Sequence, residues 1–122
     1  MNAYESSRAD TFAQSGLEFL ADGKPLDAAR EFRAAIDEDQ NHVIAHHGLV
    51  RALRDAGRLE EAVGAALRLT VITPDDPLAH TALSISLQAA GHVPEAEAAA
   101  AKARVKEWKI ALQSPPTEDK QL

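Results

Sequence analysis

Apolar residues recur along the chain at steps of three and four. His46, Leu49, Val50 and Leu53 stand at i, i+3, i+4 and i+7, which is one face of an α-helix. After Gly57 a second such face follows, built from Leu59, Ala62, Val63, Ala66, Leu69 and Val71. The glycine between them falls where the chain must reverse, and glycine takes a positive φ at least cost. This unit repeats. Gly23, Gly57 and Gly91 are 34 residues apart, and each is followed five residues later by an alanine, Ala28, Ala62 and Ala96. Each alanine is preceded by an acid, Asp27, Glu61 and Glu95. Phe19, Leu53 and Leu87 share a register, as do Ala35, Leu69 and Ala103. The alanines suit a close approach of two helices, where a larger side chain would overpack.

The punctuation agrees with helix pairs. Asp76-Pro77 places a capping carboxylate before a proline suited to a first helical turn. Asn41 is the expected cap one period earlier, and Pro25 and Pro94 fall at the starts of second helices. Tight loops between helices of this length imply antiparallel neighbours.

A helix–turn–helix period of 34 residues resembles the tetratricopeptide repeat family. The residues that carry the resemblance in the first repeat are Phe12, Gly16, Phe19, Gly23, Ala28, Phe32 and Ala35. In the second they are Leu49, Leu53, Gly57, Ala62, Leu69 and Pro74, and in the third Leu83, Leu87, Gly91, Ala96 and Ala103. The resemblance implies an all-α, right-handed α-α superhelix, a solenoid of three helix-turn-helix repeats. The repeats run over residues 9–42, 43–76 and 77–110, after a lead-in of residues 1–8. The chain departs from the family pattern where bulky residues are usual: His46 and His80 stand in the slot that holds Phe12. Val50 occupies a position that favours a small residue. The repeat-ending proline survives only as Pro74, with Gln40 and Trp108 in the other two slots. Without a proline near residue 108, the last helix is expected to extend and to cap the solenoid, with Val105, Trp108 and Leu112 on one side. Residues 111–122 then hold the end of that helix, a stop at Ser114-Pro115-Pro116, and a polar, mobile tail.

Composition narrows the function. The 122 residues correspond to one domain, and the absence of cysteine excludes disulfides, thiolate metal sites and cysteine nucleophiles. No apolar run reaches the length of a membrane span, and the first residues carry no secretion signal, so a cytoplasmic location is expected. The formal net charge of −6 disfavours nucleic acid, and five scattered aromatic rings are too few to stack single-stranded bases. No phosphate-binding glycine loop or nucleophile elbow is present, so no enzymatic role and no cofactor are expected.

The charge is uneven. Residues 9–42 carry eight acids and three bases, whereas residues 77–110 carry three acids and four bases. In the resembled family the first helix of each repeat lines a concave groove. Carried onto this chain, the groove presents Asp10, Ala13, Leu17 and Leu20, then Ile44, His47, Arg51 and Arg54, then Leu78, Thr81, Ile85 and Gln88. It would be apolar at its flanks and basic at its centre, which suits an acidic-apolar peptide or helix of another protein, as in an adaptor or co-chaperone. The lysine and asparagine clamp that some family members use for a chaperone's C-terminal carboxylate is missing, since Ala13 and Leu17 stand in the first repeat. Two other readings stand beside this one. The chain could assemble with copies of itself through Trp108, Ile110, Leu112 or the groove. His42 and His46, at i and i+4, could share a metal ion. His46 and His80 are otherwise expected to be packed, half-buried rings with one hydrogen bond each, and neutral imidazoles in such packing would weaken the fold below about pH 6.

Overall fold

The computed structural model describes residues 7–113. Six helices follow in order: α1 (Arg8–Ala21), α2 (Pro25–Glu38), α3 (Val43–Asp55), α4 (Leu59–Ile72), α5 (Pro77–Ala89) and α6 (Val93–Gln113). The lead-in before Ser7, the helix stop at Ser114-Pro115-Pro116 and the tail beyond it lie outside the described residues.

Each pair closes on its glycine. Gly23, Gly57 and Gly91 have φ of 72°, 77° and 88°. The residue after each glycine donates its N–H back across the helix end. Lys24 reaches the Phe19 carbonyl (2.9 Å), Arg58 that of Leu53 (2.8 Å) and His92 that of Leu87 (2.8 Å). This is the left-handed C-terminal cap that satisfies carbonyls a helix end leaves open. The 34-residue column of Phe19, Leu53 and Leu87 is thus the column of cap acceptors.

The first helices of the pairs are capped by side chains. Ser7 Oγ accepts from the Asp10 N–H (3.0 Å) and Asp76 Oδ1 from the Leu78 N–H (2.9 Å). The cap of α3 is His42, whose Nδ1 accepts from the Ala45 N–H (3.1 Å). Asn41, expected in that role, sits one residue too early and instead gives its own N–H to Asp39 Oδ1 (3.0 Å). An imidazole with its lone pair on Nδ1 accepts as a carboxamide would. The same tautomer leaves an Nε2–H to donate to Asp10 of α1 (2.7 Å), so one ring caps its own helix and ties repeat two to repeat one. That bond, with help from Ser7, holds the Asp10 carboxyl below its ordinary pKa.

Consecutive helices pack against each other, and α3 also touches α1 and α5. No such contacts join α2, α4 and α6 among the described residues, so the odd helices form the crowded inner layer and the even ones fan out behind them. The core between the layers is rich in alanine, with Ala28 and Ala62 fully buried and Ala96 nearly so. Side-chain volume is exchanged within it from repeat to repeat. Phe32 of α2 is fully buried against Gly16 of α1, where an added Cβ would stand 2.6 Å from the ring. One period on, the ring is replaced by Ala66 and the glycine by Val50, and both are buried. Val50 therefore departs from the small residue of the resembled pattern because its partner has shrunk, a swap that conserves volume.

The last helix ends the stack through polar residues. Ala29 and Val63, both buried in the core, have Glu97 as their counterpart on α6, and Ile36 and Thr70 have Arg104. Glu97 and Arg104 are exposed. Such a polar outer face is what a terminal repeat of a solenoid needs. The extension of α6 is present, at 21 residues against 13 for α5, but its apolar side chains do not cover the core as expected. Val105 is exposed at the edge of a hollow it shares with Pro74 and His80, Trp108 and Leu112 are exposed further along α6, and the buried face of the helix is Ala96, Ala99 and Ala103. Among the described residues no helix is long and apolar enough to cross a membrane.

Candidate functional site

The inner layer opens on a cleft of about 500 Å³. Leu17 and Leu20 of α1 form one wall, and Leu78, Thr81 and Ile85 of α5 form the other. Ile44, His47, Arg51 and Arg54 of α3 lie along the middle. The side chains read from the sequence as a groove face therefore meet in one concavity, with the exception of Gln88. Gln88 turns to a smaller hollow between α5 and α6, beside Ser84 and Glu97. Two further residues of the expected face are elsewhere. Ala13 is buried in the core, and Asp10 is engaged by His42. Ala13 shares the buried face of α1 with Ala9 and Gly16, and Gly16 lies against the Phe32 ring. Val43, Gly48, Val50 and Ala82 also contribute to the lining. Periodicity could not assign them, because they sit at the boundary between the core stripe and the groove stripe.

The aliphatic groups of the cleft are open to solvent. Ile44 is 57% exposed, Leu78 64% and Ile85 47%. Contiguous exposed aliphatic surface in a concave site is what a protein partner covers. The two arginines differ in state. Arg51 Nε donates to Asp55 Oδ2 one turn along α3 (3.1 Å), whereas Arg54 forms no ion pair among the described residues. Arg54 thus keeps a guanidinium that no described carboxylate neutralises. The lining holds no carboxylate of its own. His47 adds a titratable donor. Half-burial pushes its pKa below the ordinary imidazole value, with Asp76 opposing and His46 assisting the shift.

The remaining histidines are structural in their contacts. His46 Nε2 donates to the Gln40 carbonyl (2.8 Å) and His80 Nε2 to the Pro74 carbonyl (2.7 Å), bonds that repeat at the same period. Each ring latches the start of its helix to the loop before it. His46 Nδ1 is buried without a partner, and His42 uses both nitrogens, so this pair is not arranged to share a metal ion. Among the described residues no group of three or more His, Asp or Glu side chains could hold one.

Known proteins sharpen the identity of the fold. The chain superposes on the translocator chaperone SycD of the Yersinia enterocolitica type III secretion system with a TM-score of 0.77 at 20% identity. That match covers 86% of this chain and 80% of that one. For MamA the TM-score is 0.80 at 20% identity, over 89% of this chain and 60% of MamA. The second tetratricopeptide domain of Spaghetti, bound to an HSP90 peptide, gives 0.75 at 16% identity, over 81% of this chain and 92% of that domain. At such identities the likeness concerns the fold. No curated protein sequence matches the chain significantly. A family model described as tetratricopeptide repeat matches residues 14–77, more than half the chain. With three glycine-capped hairpins stacked at its own period, this chain belongs to the tetratricopeptide repeat family.

Proposed function

We propose that the protein is a non-enzymatic interaction module, an adaptor or co-chaperone, that receives an acidic-apolar peptide or helix of a partner protein in the cleft of α1, α3 and α5. The observation that carries this reading is the pairing of exposed aliphatic walls, Leu17, Ile44, Leu78 and Ile85, with the cation of Arg54, which forms no ion pair among the described residues. Apolar walls supply affinity, and the Arg54 cation inside a carboxylate-free lining selects the sign of the partner's charge. Support also comes from structures of the same fold that hold peptides: SycD in complex with a peptide of the translocator YopD, and the Spaghetti domain with an HSP90 peptide. Their peptides belong to those proteins, and the lining of this cleft differs from a lysine and asparagine clamp.

Selection from a random peptide library against the native chain tests the reading. Bound peptides are expected to carry a carboxylate within a few residues of aliphatic side chains. By calorimetry Arg54→Glu should weaken them by about tenfold or more, and Arg51→Glu by less, because Arg51 already has a carboxylate partner. Arg51 is exposed and Arg54 half-buried, and neither belongs to the buried core, so both variants should melt close to the native protein. Peptides without acids, or equal affinity for native and Arg54→Glu protein, would reject the cleft as an acid-reading site.

A further inference from the structure

The outer side of α6 carries a second apolar stripe. Ala101, Val105, Trp108 and Leu112 are spaced by four, three and four residues, the a/d spacing of a two-helix seam. By helical phase they lie opposite Ala96, Ala99 and Ala103, which face the core, and Ala101 and Val105 also border a shallow hollow lined by Pro74 and His80. All four are exposed, Trp108 by 65% and Leu112 by 69%. The seam also runs past the solenoid: α6 is eight residues longer than α5, which extends it by about 12 Å at the α-helical rise. An exposed tryptophan in such a stripe has no packing reason within the described residues. Its flanks are cationic. Lys102 and Arg104 form no ion pair among the described residues, and Lys109 borders the stripe further on. Lys106 is spent on Asp75 (3.0 Å), and Glu107 is the one acid between residues 101 and 113.

We propose that this outer seam of α6 is a second docking surface, taking an amphipathic helix whose apolar stripe is flanked by carboxylates. Helix-on-helix pairing buries the stripe, and acids at the flanking positions of the incoming helix meet Lys102, Arg104 and Lys109. The same charges argue against a second copy of α6 as the occupant, since two seams bordered by lysine and arginine repel each other. The seam lies behind the even-numbered layer, so it does not compete with the cleft of α1, α3 and α5.

Trp108 is the only tryptophan in the chain, so its fluorescence reports on the seam directly. The probes are two synthetic helical peptides of about three heptads, both with leucine at the seam positions, one flanked by glutamate and its twin by lysine. The glutamate peptide should shift Trp108 emission to the blue and saturate, and the lysine twin should bind about tenfold more weakly or worse. Leu112→Glu, a change at an exposed position, should abolish the Trp108 emission shift that the glutamate peptide produces. Arg54→Glu, in the cleft, should leave the peptide concentration that half-saturates this emission shift within about twofold of native, so the seam is read separately from the cleft. Equal binding of the twins, no emission shift, or loss on Arg54→Glu and not on Leu112→Glu would overturn the proposal. So would a blue shift of the protein alone that grows with concentration alongside a dimeric mass, which would make a second copy the occupant.

Discussion

Gly48 lies against the Phe32 ring so closely that a methyl group in place of its hydrogen would stand 2.3 Å from Cζ. Gly16 meets the same ring from α1. One fully buried phenyl group is thus held between glycines on α1 and α3, and the two hairpins are spaced by it. Because α1 supplies one wall of the cleft and α3 its middle, this wedge sets how wide the site stands open at its first repeat.

Gly48→Ala should therefore destabilise the protein, although alanine favours a helix by about 1 kcal/mol over glycine. The overpacking term is larger, about 1–3 kcal/mol, because the obstructed atoms belong to a fully buried ring. A lower denaturation midpoint for Gly48→Ala is expected. Its combination with Phe32→Leu should lose less than the two single changes added together. A midpoint at or above native for Gly48→Ala would show that the helices separate without cost.

Acid should weaken the fold in two stages. The His47 pKa is depressed in the folded protein by burial, so its contribution is complete above the ordinary value of 6.5. As pH falls below that value the unfolded chain takes the proton first, and stability declines until the folded group is protonated as well. The Asp10 and Asp75 carboxyls are held below the ordinary 3.8, by His42 and Lys106 respectively, so their contribution persists above that value and is lost at still lower pH. Denaturant melts across this range should show His47→Gln flattening the upper stage while leaving the lower one. Parallel losses in native and His47→Gln protein between about pH 6.5 and 5 would assign the upper stage to another group.

The polar end of the stack can be undone. Glu97→Val with Arg104→Thr gives α6 the residues that α4 has at the corresponding positions, Val63 and Thr70. Both altered side chains are exposed, so unfolding of the monomer should change by about 0.5 kcal/mol or less. Association detectable by light scattering should increase, because an apolar outer face on a terminal repeat seeks a neighbour. An unchanged mass at all concentrations would mean that these two side chains do not keep the end of the stack single.

The architecture was legible in Gly23, Gly57 and Gly91, since the spacing of a left-handed cap is written in residue type. The cleft was legible in outline, because residues on the face opposite the core stripe of α3 and α5 point where a regular helix sends them. What escaped depends on pairing between helices. Ala13 lies with Ala9 and Gly16 on the buried stripe of α1, and which of two neighbouring small-residue stripes turns inward is not fixed by the period of one helix. The difference between Arg51 and Arg54 follows from Asp55, four residues after Arg51, which takes one guanidinium and leaves the other. His42 as a cap was missed because imidazole is an uncommon acceptor there, and the Asp10 bond that fixes its tautomer comes from another repeat.

The central claim, that the partner sits in the cleft of the inner layer, is tested most directly by mapping amide and methyl resonance shifts while the tightest library peptide is added. Shifts are expected to gather at Leu17, Ile44, Arg54, Leu78 and Ile85, with Leu67 and Val71 on the outer face of α4 unmoved. Shifts confined to Leu67 and Val71, with the cleft residues silent under saturating peptide, would contradict it.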